Sequence, residues 1–213
     1  MPHYFDPDPS TPSAPVEVVW SLPDGPLRIT TDRGVFGHGR VDVGTKLLLL
    51  TVPLPPGTGH LLDLGCGAGP VAIAMARRAP TSTVWAVDVN ARARALTAEN
   101  ANANGTDNVR VVGPDEVPTD VRFAAIWSNP PIRIGKEALH ELLTTWLDRL
   151  TPDGTAHLVV QKHLGADSLA RWLGEQGYRV ERSATGGGFR VLMVGPRPQG
   201  HGSTDDSPEN MLK

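Results

Sequence analysis

Short apolar runs and helically spaced ones alternate along most of the chain. His60–Leu64 and Thr83–Asp88 are brief runs rich in aliphatic and β-branched residues, the pattern of strands buried on both faces. Between them Pro70–Arg78 sets small apolar residues on one helical face. Asn90 is placed to cap a helix that continues to about Asn104 and stops at Gly105. Asn108–Val112 and Arg122–Trp127 predict two more strands of the series. Lys136–Leu150 repeats Leu139, Leu142, Leu143, Trp146, Leu147 and Leu150 at steps of mainly three or four, which predicts a helix. Pro152-Asp153-Gly154 reads as a turn into a strand over Thr155–Gln161, and Ala166–Glu175 as another helix. Tyr178–Ser183 and Phe189–Val194 are two last strands joined by Thr185-Gly186-Gly187-Gly188, so a closing hairpin is expected.

Ahead of this alternation the pattern differs. Val16–Trp20 and Leu27–Thr31 flank Pro23-Asp24-Gly25-Pro26 and predict a β-hairpin. Val43–Val52 holds an apolar cluster suited to a short helix, with Asp42 or Thr45 available as its cap. Residues 1–15, rich in Pro, Ser and Asp, are expected to be a flexible arm, and residues 196–213 a disordered tail. The span 16–195 is then one domain. Strands alternating with helices predict an α/β fold, a doubly wound and mostly parallel sheet with helices on both faces and an N-terminal hairpin extension.

Composition adds limits. The chain has 213 residues, 39% of them hydrophobic, enough for one sizeable core. A single cysteine, Cys66, excludes an internal disulfide and a multi-thiolate zinc site. His3, His38 and His163 are scattered without metal-ligand spacing, so no metal is inferred. The formal net charge of -3 comes mostly from acidic ends, which leaves the middle near neutral and argues against nonspecific coating of nucleic acid. The longest strongly apolar run, Leu47–Leu50, is far too short to span a membrane, and no basic start with an apolar stretch marks a secretory signal. A soluble cytoplasmic protein is the expectation.

Candidate chemistry begins at Asp63-Leu64-Gly65-Cys66-Gly67-Ala68-Gly69-Pro70, directly after a predicted strand and before a predicted helix. Glycines permit a sharp turn and a close approach of ligand to backbone, and the helix start offers unpaired N–H groups. A dinucleotide fingerprint needs G-x-G-x-x-G, but the third glycine counted from Gly65 would fall on Pro70. Asp63 also stands where a pyrophosphate would be repelled. A ligand with an amine and a ribose fits better, and S-adenosylmethionine (SAM) has both. Asp88 ends the next strand and suits two ribose hydroxyls, which holds for either cofactor. Asp115 is a candidate acceptor for an adenine amino group; Glu116 or a backbone N–H could serve equally.

A second motif, Ser128-Asn129-Pro130-Pro131-Ile132-Arg133, follows the fourth strand of the series. Two prolines fix φ and remove two N–H donors. The Asn129 side-chain oxygen and the Pro130 carbonyl are two acceptors that suit a planar amino group. Each takes one N–H, and the nitrogen lone pair is held toward an electrophile.

With these motifs the chain resembles class I SAM-dependent methyltransferases. More narrowly it resembles the methyltransferase small domain family, which includes the 16S ribosomal RNA guanine-N2 methyltransferases. The resemblance rests on Gly34-Val35-Phe36, Asp42-Val43-Gly44-Thr45, the glycine motif, Ala86-Val87-Asp88-Val89-Asn90 and Ser128–Lys136. Glu99–Gly105 and Val160-Gln161-Lys162 add to it. It implies a seven-stranded Rossmann-like sheet with the last strand antiparallel. It implies a SAM site at Asp63, Gly65, Cys66, Gly67, Asp88, Val89, Asp115, Asn129 and Thr45. It further implies a catalytic amine clamp at Asn129, Pro130 and Pro131.

The implied activity is methylation of a guanine N2 amine in ribosomal RNA. Methylation of a protein glutamine amide and a noncatalytic SAM- or RNA-binding module are the alternatives. Two features depart from the family pattern. The chain is too short for the second, degenerate domain copy of longer ribosomal relatives. An aromatic that often follows N-P-P to stack on the base is replaced by Ile132. Phe36, Tyr4 or Phe5 could supply stacking instead. Phe36, Ile132, Arg133 and Lys136 are the expected substrate-binding residues, with Arg33, Arg40 and Lys162 as further basic groups for phosphate.

Overall fold

The computed structural model of the protein describes residues 11–198. Strands β1 (Val16–Leu22) and β2 (Gly25–Thr31) form an antiparallel hairpin on their own. Trp20, Leu22, Leu27 and Ile29 turn inward and are buried. Helix α1 (Val43–Thr51) follows, and of its two candidate caps Asp42 is the one used, accepting from the Thr45 N–H at 2.7 Å. The rest is β3 (His60–Leu64), α2 (Pro70–Arg78), β4 (Thr83–Val87), α3 (Ala91–Ala103), β5 (Val109–Val112), β6 (Phe123–Ser128), α4 (Lys136–Leu147), β7 (Leu150–Gln161), α5 (Ala166–Glu175), β8 (Arg179–Gly186) and β9 (Phe189–Gly195).

Strands β3 to β9 make one seven-stranded sheet in the order β5-β4-β3-β6-β7-β9-β8. The first five in that order are parallel, and β9 runs antiparallel to both β7 and β8. Each sheet face has its own core. One contains Leu61, Ile73, Met75, Leu96, Trp127 and the buried hairpin residues, under α1, α2 and α3. The other contains Leu62, Phe123, Leu143, Trp146 and Leu173, under α4 and α5. This is the fold class that the alternation predicted.

Two boundaries differ from the sequence pattern. Leu150 continues the helical repeat but is the first residue of β7, paired with Phe123. It is buried in the same core as Leu147, so the apolar spacing carries on after the helix has ended. Pro152-Asp153-Gly154 does not separate helix from strand. It bulges within β7, where the register jumps from Phe123–Leu150 to Ala125–Thr155. At the far end β8 runs through Thr185 and Gly186, leaving only Gly187-Gly188 as the turn.

Two features of the topology position a site. The chain runs outward from β3 to β4 and β5, then returns to place β6 on the other side of β3. Ligands of open α/β sheets bind at such a reversal, outside the carboxyl ends of the strands. The hairpin is tied to this edge by asparagines of α3. Asn100 is buried; its oxygen accepts from the Thr30 N–H at 2.9 Å and its nitrogen donates to the Thr30 and Ala68 carbonyls at 2.8 Å. Asn104 pairs with the Arg28 backbone in the same way. Two side-chain amides thus satisfy the open edge of β2, where a third strand would otherwise bind.

Candidate active site

The glycine motif turns at the end of β3. The N–H groups of Gly65 and Cys66 both donate to the Val87 carbonyl, at 2.8 and 3.0 Å, which fastens the turn to the end of β4. Gly69 is the residue before α2 and has φ 86°, a left-handed conformation that favours glycine. A Cβ there would also lie 2.8 Å from Thr97 Cγ2. Gly69 is therefore required by packing, whereas Gly65 and Gly67 line a cavity of about 510 Å³.

Asp88 lies across this turn. Its Oδ2 accepts from the Gly67 N–H and its Oδ1 from the Asn90 N–H, both at 2.9 Å. Each carboxylate oxygen has two acceptor positions, so one on each is left for a ligand. The side chain is half-buried and lines the cavity. Burial raises its pKa, opposed by the Asn90 and Gly67 N–H donors.

Asp63 differs. It is buried, with Oδ2 accepting from the Ala72 N–H at 2.9 Å. Burial pushes its carboxyl up to about 8, partly offset by that N–H, and the charge of Asp88 adds to the rise. At neutral pH it is mostly protonated, so the repulsion of a pyrophosphate anticipated at Asp63 is largely removed. Cys66 is buried beside Thr97, and burial holds its thiol well above the ordinary range. It is a packing residue, not a nucleophile.

The N-P-P segment leaves the end of β6 beside this turn. Ser128 pairs with Leu64 in the sheet, and its Oγ donates to the Leu64 carbonyl at 2.7 Å. Asn129 therefore stands next to Gly65. Its amide nitrogen donates to Asp42 Oδ1 at 2.9 Å and Thr45 Oγ1 at 3.0 Å. A carboxylate only accepts, so the NH2 end must face Asp42, leaving Oδ1 as the end available to an incoming amine. The Thr45 hydroxyl in turn donates to Asp42 Oδ1 at 2.9 Å. The Pro130 carbonyl already accepts from the Ile132 N–H at 2.8 Å and keeps one lone pair.

Most of the expected site residues meet here. Thr45, Asp63, Gly65, Cys66, Gly67, Asp88, Val89, Asn129, Pro130, Pro131, Phe36, Ile132 and Arg133 all line the one cavity. Asp115 and Lys136 are not among its lining residues. Asp115 is exposed on a short 3-10 turn, where its neighbour Glu116 caps the Gly113 N–H. Pro114 lines the cavity instead. Lys136 is exposed at the first turn of α4. Tyr4 and Phe5 lie outside the described residues.

Sequence patterns missed several lining groups: Trp20, Gln161 and Phe189 come from β1, β7 and β9, while Arg40, expected as a basic group for phosphate, lines the cavity from the loop after β2. Trp20 Nε1 is buried with no hydrogen-bond partner among the described residues.

A family model, Methyltransferase small domain, matches residues 26–193. Over 176 residues the chain is 36% identical to the uncharacterized protein YbxB of Bacillus subtilis, covering 81% of this chain and 88% of that one. It is 39% identical over 181 residues to ribosomal RNA small subunit methyltransferase C of Pseudomonas aeruginosa, covering 81% of this chain and 52% of the relative. The chain thus spans about half the length of the curated ribosomal RNA methyltransferases it matches.

Among solved structures, the Thermus thermophilus 16S rRNA N2 G1207 methyltransferase, in complex with AdoMet and guanosine, aligns with a TM-score of 0.71 at 22% identity. The alignment covers 89% of this chain and 52% of that one. A ribosomal protein L11 methylase from Lactobacillus delbrueckii aligns with a TM-score of 0.59, also at 22% identity, over 74% of this chain and 84% of that one. These structural likenesses are of fold.

Proposed function

The chain belongs to the methyltransferase small domain family, and from that premise we propose that it is a SAM-dependent N-methyltransferase acting on the N2 amine of a guanine in ribosomal RNA. The residues present fit the cofactor: two cavity-facing glycines with positive φ, and a carboxylate, Asp88, with one acceptor position left on each oxygen. When bound, SAM supplies an electrophilic methyl group on a sulfonium. Asp88 would hold the ribose hydroxyls, Gly65 and Gly67 the backbone side of the cofactor, and Val89 with Pro114 the apolar flank of the adenine.

One observation carries the catalytic assignment: the Asn129 amide is locked by Asp42 and Thr45 with its oxygen end available beside the glycine turn. Asn129 Oδ1 and the Pro130 carbonyl each accept one N–H of the target amine. That orients the nitrogen lone pair and stabilises the positive charge that grows on nitrogen as the new bond forms. Methyl transfer would leave the donor as a neutral thioether, and the surplus N–H proton is released to water after the new bond forms, so no strong base is needed beforehand. Arg40 and Arg133, exposed at the cavity wall, are placed to meet phosphates flanking the target.

The test is to incubate the full chain with tritiated SAM and either small-subunit ribosomal RNA or release-factor protein. Label in RNA, recovered as N2-methylguanosine, is expected. Label in glutamine of the protein would replace RNA as the target, and cofactor binding without transfer would remove the enzyme assignment.

A further inference from the structure

Resting on the RNA assignment above, we propose that Phe189 is the stacking platform for the target base, in place of the aromatic missing after N-P-P. Ile132, the residue at that place, has no aromatic face and packs as a partly buried side chain on the core under α4 and α5. Phe36 lies against the cofactor turn, its Cβ and carbonyl oxygen 4.0 Å from where a Gly67 Cβ would be. Of the other lining aromatics, Trp20 and Trp146 are buried in the two cores. Phe189 is half-buried: it packs at the margin of the core under α1, α2 and α3 and also lines the cavity, with an aromatic face that Ile132 lacks.

Topology puts Phe189 on the substrate side. Strand β9 is antiparallel to β7, so its first residue stands beside the last residue of β7, Gln161, at the carboxyl edge of the sheet. Asn129 follows β6, the next strand over. Two strand spacings make about 10 Å at the backbone, a gap that an inward-leaning phenyl ring and a flat base can fill together.

Local packing fixes the lean. A Cβ on Gly44 would come within 2.7 Å of Phe189 Cε1 and 3.3 Å of Asp42 Oδ1. The ring therefore lies over the start of α1, next to the carboxylate that orients Asn129. Gln161 is its cross-strand neighbour on the same face and also lines the cavity. An aromatic face beside an amine clamp is what a splayed-out base requires, since unstacked bases are held by stacking on aromatic side chains.

The test measures steady-state methylation of small-subunit ribosomal RNA, together with calorimetric SAM affinity, for Phe189→Leu and Phe189→Trp. Phe189→Leu should raise KM for RNA by about 10- to 100-fold, leave SAM affinity unchanged, and be rescued by Phe189→Trp. Gly44→Ala provides an independent route. Its Cβ would meet the ring at 2.7 Å and Asp42 Oδ1 at 3.3 Å, so the part of its KM defect that the ring carries should vanish in the Phe189→Leu background. Wild-type KM in Phe189→Leu, or a matching loss of SAM affinity, would overturn the stacking role while leaving RNA methylation intact. A wild-type chain that labels no RNA would overturn both.

Discussion

Asn129 and Asp88 line one cavity, and substitution should separate the different tasks proposed for them. Asp88→Ala removes the acceptors proposed for the ribose, so SAM affinity measured by calorimetry should fall by at least tenfold, the value of one charged hydrogen bond. Asn129→Ala should bind SAM nearly as wild type while turnover drops on the order of 10²–10³. Unchanged affinity in the first or near-normal turnover in the second would reject the corresponding role. The glycine turn and the N-P-P segment were legible in the sequence because each is a local pattern whose neighbours are set by the chain itself. The partner of Asn129 was not. Asp42 lies 87 residues earlier and reads locally as a helix cap, a role it also performs. Only the fold shows that one carboxylate oxygen serves both the cap and the clamp.

At the scale of elements, the N-terminal hairpin is a cover held by few ties. Asn100 satisfies both backbone groups of Thr30 and the Ala68 carbonyl, joining β2 to α3 and to the glycine motif. Asn100→Ala would leave those groups unpaired in a mostly buried setting, a cost of about 2–3 kcal/mol. The Tm should fall by roughly 5–10 °C, and SAM affinity should weaken with it because the motif loses a support. A variant with wild-type Tm and affinity would show that the apolar face and the Arg77 and Arg78 contacts to Pro26 and Asp24 hold the hairpin without Asn100. The asparagine-rich stretch of α3 could be seen in the sequence, but its purpose could not. An amide that mimics a strand edge has no local signature, and its partner is 70 residues away. The α4 end was misplaced for a related reason: Leu150 keeps the apolar spacing because helix and strand bury residues in the same core.

For the molecule as a whole, two buried groups give stability opposite pH dependences over overlapping ranges. His157 is buried on β7, and neither ring nitrogen has a hydrogen-bond partner among the described residues. Burial lowers its pKa from 6.5 to about 4. Its stabilising contribution is complete above the unfolded value near 6.5 and is lost as pH falls toward 4, at up to about 1.4 kcal/mol per pH unit. Asp63 has the opposite sign. Its pKa is raised from 3.8 to about 8, so its contribution is complete below 3.8 and decreases as pH rises through 8. Between about pH 4 and 6.5 the two contributions offset each other, so urea midpoints should change little there and fall as pH rises from about 6.5 to 8. His157→Leu should start that fall near pH 4 instead, while Asp63→Asn, whose amide oxygen can still accept from Ala72, should abolish the fall above 6.5 and show a loss on acidification from 6.5 toward 4. Profiles unchanged in these variants would assign the pH response to other groups.

The central claim is that the acceptor pair at Asn129 and Pro130 holds a guanine amine of ribosomal RNA for methyl transfer. Nucleoside mass spectrometry of ribosomal RNA from cells lacking the protein tests it most directly. One N2-methylguanosine should disappear and return when the wild-type chain, but not Asn129→Ala, is restored. An unchanged nucleoside profile, or restoration by Asn129→Ala, would contradict it.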